Sequence, residues 1–172
     1  MSTLRIVQYF TLKAYASDFN WLEPENSGSN KDKVYRHYYQ NFFVNETKRW
    51  NNENYQFAPF RVEGTSSALG GDNPMAQVLF PNVEYAIRLV EQGNGNRLSK
   101  LIITTAWLNE ALQPDARVYQ ERYIGLGAAF SETTIELRFR SAMDSVSGRF
   151  PARTFSRNNV GLLPLSADLS FR

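Results

Sequence analysis

Residues Tyr55–Asn82, YQFAPFRVEGTSSALGGDNPMAQVLFPN, decide how this chain is read. They read as a strand, a glycine-rich turn and a second strand that ends at a helix start. Tyr55, Phe57, Phe60 and Val62 give the first strand its apolar faces. Gly64, then Gly70 and Gly71, break the chain where positive φ is expected. Val78 and Phe80 share one face of the second strand, with Gln77 and Leu79 on the other. Asn82 stands at the expected N-cap. These residues build a framework rather than an active site.

Outward from this stretch, the chain reads as one domain over residues 1–172, with 156–172 an extended C-terminal segment. A chain of this length buries roughly 70 % of its unfolded surface. Leu4–Leu12 and Val34–Val44 are β-branched and aromatic and read as strands. Five aromatics in Val34–Val44 leave little contrast between its faces, so both are expected to be covered. Between them Asp18–Lys33 is a polar loop, unusually long for a compact domain and pinned early by Trp21 and Leu22. Val83–Gln92 carries Val83, Ala86, Ile87 and Val90 at helical spacing, a Glu84–Arg88 pair and Gly93 at its end. Leu98–Leu108, Val118–Leu126 and Thr133–Arg140 are further strands. Gly125 and Gly127 are read as a hairpin turn. In the last strand Ile135, Leu137 and Phe139 face inward and Glu136, Arg138 and Arg140 outward. Some seven strands and one helix predict a mainly β fold, a β-sandwich or partly closed barrel with one flanking α-helix and extended loops.

Composition narrows the chemistry. The chain has no cysteine, so disulfides, thiol nucleophiles and Cys-ligated metal centres are excluded. One histidine cannot make a histidine-rich metal site. No metal and no cofactor are expected. No apolar run reaches the ~20 residues of a membrane span, and residues 1–20 lack a signal-peptide pattern. The protein is expected to remain in the cytoplasm where it is made, or in an assembly built there, without membrane insertion. Net charge is +2, too small to argue for nucleic acid. From Arg117 onward there are eight arginines, no lysine and five acidic residues, a surplus of +3 against −1 for residues 1–116. Arginine forks suit carboxylates and phosphates. The arginines 138, 140, 149, 153 and 157 are assigned to protein–protein pairing. Aromatics make up 14 %, more than one small core needs, and part of them is expected at subunit contacts.

Enzymatic readings find little support. His37 lies mid-strand, and no G-x-S-x-G elbow accompanies it. Glu63 and Asp72 form the best acidic pair for glycoside hydrolysis, which needs carboxyls about 5–10 Å apart. Asp72, beside Gly71 and Asn73, is better explained as a turn former. The glycine turns at 93–96 and 125–127 lack the lysine of a phosphate-binding loop and the spacing of a dinucleotide fingerprint. Asn45-Glu46-Thr47 matches a glycosylation triplet, which carries no meaning without secretion.

Three segments carry a resemblance. Tyr55–Gly64, YQFAPFRVEG, resembles the Y-x-P-x-P-I-type strand of the phage minor tail protein L family, the tail-tip hub proteins. Asn73–Asn82, NPMAQVLFPN, is similar to that family's proline-led strand before a short helix. Phe139–Arg153, FRSAMDSVSGRFPAR, resembles its S-A-L-D … G … L-P-R-R signature. Upstream, Val34-Tyr35-Arg36 and Trp50 stand where the family has a Y-R-F strand and a tryptophan or isoleucine. The likeness covers residues 34 to 155, and a family of uncharacterised phage tail proteins has a similar layout. It implies a tail-tube-like β fold and a structural, non-enzymatic role in the virion. The subunit would sit in the tail tip, as part of the baseplate hub or distal tail ring. It would join the tail tube to the central hub or fibre as a homo-trimer or homo-hexamer, assembled in the host cytoplasm.

Genomic DNA would meet it only in passing. Some relatives carry a C-terminal iron–sulfur domain; a chain without cysteine cannot. Interaction is assigned to Trp21, Leu22, Arg153, Arg157, Leu162, Leu163, Leu165 and Phe171. The Asp18–Lys33 loop and the C-terminal segment are expected to order on contact with neighbours. The alternatives are a small β-rich hydrolase or a carbohydrate-binding module acting on the host cell envelope.

Overall fold

The computed structural model describes residues 5–64 and 75–142. In chain order the elements are β1 (Arg5–Tyr15), β2 (Val34–Gln40), β3 (Lys48–Trp50), β4 (Glu53–Phe57), β5 (Arg61–Glu63), β6 (Met75–Pro81), α1 (Glu84–Gln92), β7 (Ser99–Leu108), β8 (Pro114–Phe130) and β9 (Thr134–Ser141). The protein is mainly β, as expected. Its nine strands form one open mixed sheet, ordered β3-β4-β2-β1-β7-β8-β9-β6-β5, instead of the two facing sheets of a sandwich. All neighbours are antiparallel except β2 and β4.

Tyr55–Val62, expected as a single strand, is broken at Ala58–Phe60. Pro59 has no N–H to give to a ladder, which favours a break there. The two halves join distant parts of the sheet. β4 lies second from one edge and β5 forms the other edge, seven strand spacings away. In a flat sheet that separation would be roughly 33 Å, whereas the link from Phe57 to Arg61 spans at most about 14 Å. The sheet therefore curls. Phe10 of β1 and Phe80 of β6, four strands apart, have ring centroids 5.3 Å apart, and Phe60 lies 5.6 Å from both.

The concave face holds the main core. Phe10, Leu12, Val78, Phe80, Leu101, Ile103, Ile135, Leu137 and Phe139 meet there, with Ala86, Leu89 and Val90 of α1. The inward and outward assignment for β9 agrees with its alternating burial. On the convex face a second cluster gathers Val7, Tyr9, Ala106 and Leu108 under the β3–β4 hairpin. Tyr9 is stacked on Trp50 (5.1 Å) and meets Tyr55 edge-on (5.0 Å). Much of the aromatic surplus is thus spent inside the chain: both faces of β2 contribute, Tyr39 to the concave core and Tyr38 to the convex one.

The helix differs in detail from expectation. Its N-cap is Val83, without a side-chain hydrogen bond. Asn82 instead donates through Nδ2 to the carbonyls of Ser131 and Glu132, tying the helix entry to the β8–β9 turn. The buried face is Ala86, Leu89 and Val90, while Val83 is exposed. Glu84 and Arg88 pair as expected.

Gly125 and Gly127 mark a bulge inside β8, not a hairpin turn. β8 pairs with β7 over its first half and with β9 over its second, and the bulge lies where the two ladders meet. Asn96, fully buried with φ 65, fills the kink. Its Nδ2 donates to the carbonyls of Gly127 and Arg138, 3.1 Å each, and Ser99 Oγ donates to its carbonyl at 2.9 Å. A Cβ on Gly125 would stand 1.8 Å from the Asn96 carbonyl oxygen, whereas one on Gly127 would meet nothing within 4 Å. Gly125→Ala is expected to cost about 1–3 kcal/mol of stability, read as a lower urea midpoint. Gly127→Ala should leave the midpoint nearly unchanged.

Candidate interaction surface

The loop between β1 and β2 is held by its own chain. Asn30, fully buried, is its hub. Its Oδ1 accepts from Asn20 N at 2.9 Å, and its Nδ2 donates to the carbonyls of Asn20, Glu23 and Pro24. Asn20 Oδ1 accepts from Leu22 N at 3.1 Å. Glu25 anchors the loop to the convex face, accepting from Lys13 Nζ, Tyr15 OH and Arg36 Nη2 at 2.9–3.2 Å. The Lys13 ammonium, helped by Tyr15 and Arg36, holds the Glu25 carboxyl below its ordinary value of 4.5 against the opposing effect of burial. Asp18 and Lys33 close the base with a 3.0 Å ion pair.

This frame presents Trp21 and Leu22. Trp21 packs on Tyr15 (4.9 Å) and Phe19 (4.8 Å), with Lys100 Nζ above its ring, yet remains 54 % exposed. Leu22 is 96 % exposed. An apolar side chain in water on a loop already fixed by hydrogen bonds loses little entropy on contact. Within the chain, the loop is held by Asn30 and Glu25.

The opposite end of β1 and β7 carries a second apolar group. Val44, Leu112, Val118 and Tyr119 are exposed there. Leu112 is also in the left-handed region, φ 56, at the tip of the β7–β8 connection. A non-glycine residue there costs of order 1–2 kcal/mol, and neighbouring Asn109 supports the turn through Oδ1 to Gln113 N and its carbonyl to Leu112 N. Leu108 pairs with Arg5 and Ser99 with Ala14. The two apolar ends are thus about 30 Å apart along the strands. The sequence reading missed this second end, because NEALQP offers no glycine to mark a left-handed turn.

Arg153, Arg157, Leu162, Leu163, Leu165 and Phe171 lie outside the described residues, as do Asp72, Gly70 and Gly71. Glu63 pairs with Arg61 at 3.0 Å, and Arg138 pairs with Glu136 at 2.7 Å. His37 sits on the concave side against α1. Burial holds its pKa below the ordinary value, and the Gln92 side chain opposes this. The contact misses good hydrogen-bond geometry: His37 Nε2 and Gln92 Oε1 are buried without partners. Among the described residues no group of three His, Asp or Glu could hold a metal, and no helix is long and apolar enough to cross a membrane.

Compared with known proteins, the chain matches no family model and no curated protein.

Because Glu25 is depressed in the folded state, its contribution to stability is complete above the unfolded value near 4.5 and is lost as pH falls through the folded value. Glu25→Gln should therefore lower the urea midpoint at pH 7 and flatten its decline as pH falls below 4.5. An equally steep decline in the variant would show that Glu25 does not anchor the loop.

Proposed function

We propose that this protein is a structural, non-enzymatic subunit of a bacteriophage tail tip, joining the tail tube to the central hub or fibre. The observation that carries the reading is the pair of apolar tips at opposite ends of one curled sheet, Leu22, 96 % exposed, and Leu112, 37 % exposed in a left-handed turn. A surface leucine on a hydrogen-bonded frame, and another in a strained turn, suit contacts that repeat from subunit to subunit. Such head-to-tail contacts close into a ring when the rotation per subunit closes. The order of the three tail-protein-like segments in the sequence supports the same reading.

In this reading the curled sheet is a tail-tube-like, partly closed barrel, with β4 and β5 continuous across its seam. Three or six copies form the ring, and DNA passes without being held. Residues 156–172, including Leu162, Leu163, Leu165 and Phe171, contact neighbouring tail proteins together with Arg153, Arg157, Trp21 and Leu22.

Sedimentation of the purified protein across concentration, with imaging of tail tips, tests this. A trimer or hexamer and its presence at the tip are expected. Leu22→Asp and Leu112→Asp should each shift the protein to monomer while changing stability by less than about 0.5 kcal/mol. A wild-type monomer at every concentration, absent from tail particles, would overturn the proposal.

A further inference from the structure

The concave face continues beyond its core at the Leu112 end, and its character changes there. Strand register fixes the rows. Phe10, Ile103 and Glu121 lie side by side across β1, β7 and β8; the next row is Gln8, Thr105 and Tyr119; beyond it Ile6 faces Trp107. Phe10 and Ile103 are buried and make a dry floor. Gln8, Thr105, Trp107 and Glu121 are half-buried, and Tyr119 is 51 % exposed. Three strands make a shelf roughly 10 Å wide.

The polar groups on this shelf are positioned but not saturated. Asn41 clamps Gln8, its Nδ2 donating to Gln8 Oε1 at 2.8 Å and its Oδ1 accepting from Gln8 N at 3.0 Å. Gln8 Nε2 is left to donate elsewhere. Glu121 stands between Tyr119 and Tyr123 along the same face of β8; burial pushes its carboxyl above the ordinary value, against the pull of the two hydroxyls, and the carboxylate keeps acceptor capacity. The Thr105 hydroxyl can serve as donor or acceptor. Flat apolar surface is supplied by Trp107 and Tyr119.

From this arrangement we propose a saccharide-binding site on the concave shelf of β1, β7 and β8, with Gln8, Thr105 and Glu121 hydrogen-bonding sugar hydroxyls and Trp107 and Tyr119 packing on the apolar ring face. The chemistry selects against other occupants. A purely apolar ligand would bury Gln8 Nε2 and the spare acceptor sites of Glu121 without partners, at a cost of about 1–3 kcal/mol each. A phosphate or fatty acid would face the Glu121 carboxylate. A quaternary ammonium would suit the rings and the carboxylate, but would satisfy neither Gln8 nor Thr105. A pyranose offers donors and acceptors at its rim and C–H groups on its face. This site does not use Leu22 or Leu112, the tips that carry the assembly reading, and shares only Tyr119 with the apolar group at the Leu112 end.

Two-dimensional amide NMR of the full chain, titrated with glucose, N-acetylglucosamine, rhamnose and a trisaccharide of each, and separately with choline chloride, tests the proposal. Monosaccharides and trisaccharides distinguish a free sugar from a segment of a longer glycan. At least one saccharide should shift the Gln8 side-chain amide, the Thr105 amide and the Trp107 indole, with the Trp21 indole unmoved. Glu121→Gln should weaken that binding about tenfold or more, and Tyr119→Ala should do the same with an unchanged urea midpoint. Trp21→Ala should bind as the wild type does. No shift with any saccharide at about 10 mM, a weak-binding ceiling, overturns the site. So does binding that survives both shelf variants, or choline binding in place of sugar.

Discussion

The three residues Ala58–Phe60 set the shape of this molecule. They join the strand next to one edge of a nine-stranded sheet to the strand at the other edge. So short a link cannot cross a flat sheet, so the seven intervening spacings must wrap around a common centre. Ala58 N donates to Gln40 O at 2.9 Å as the chain leaves β4, and Phe60 turns inward to meet Phe10 and Phe80. The aromatic centre and the covalent link support each other. The rings need a closed wall to exclude water, and the link holds that wall in place.

Curling divides the apolar residues between two faces, and each face has its own cover. The concave side is closed by α1, whose buried stripe adds to the core, while His37 Nε2, Tyr85 OH and Gln92 Oε1 are buried without hydrogen-bond partners. The convex side is closed at one end by the β3–β4 hairpin over Tyr9 and at the other by the Asn30-centred loop over Tyr15. Among the described residues, the row beyond Phe10 and Ile103 on the concave face carries polar groups, Gln8 and Thr105.

What could be read from the sequence follows the range of the interactions. Local alternation located β9, a run of β-forming residues located β7, and helical spacing located α1, because those signals depend on neighbours one to four residues away. Gly64, φ 77, was legible for the same reason: the turn itself demands it. Pro59 was visible, but the destinations of the two halves it separates depend on sheet order, which no local pattern encodes. Gly125 was taken for a turn because its real constraint is the Asn96 carbonyl, contributed by another segment. Asn30 looked like one polar residue among many in SGSN; only the folded loop supplies the three carbonyls it satisfies. The shelf was hidden similarly, since Gln8, Thr105 and Glu121 become neighbours only through register.

The central claim is that strands far apart in the sheet order share one core. A double-mutant cycle on Phe10→Leu and Phe80→Leu in urea unfolding tests it most directly. The curled sheet predicts that the two changes are not additive, with a coupling of about 0.5–1.5 kcal/mol from the edge-on ring pair. Additive effects would mean that the two rings do not meet in solution, and would contradict the curled sheet on which the rest of the account depends.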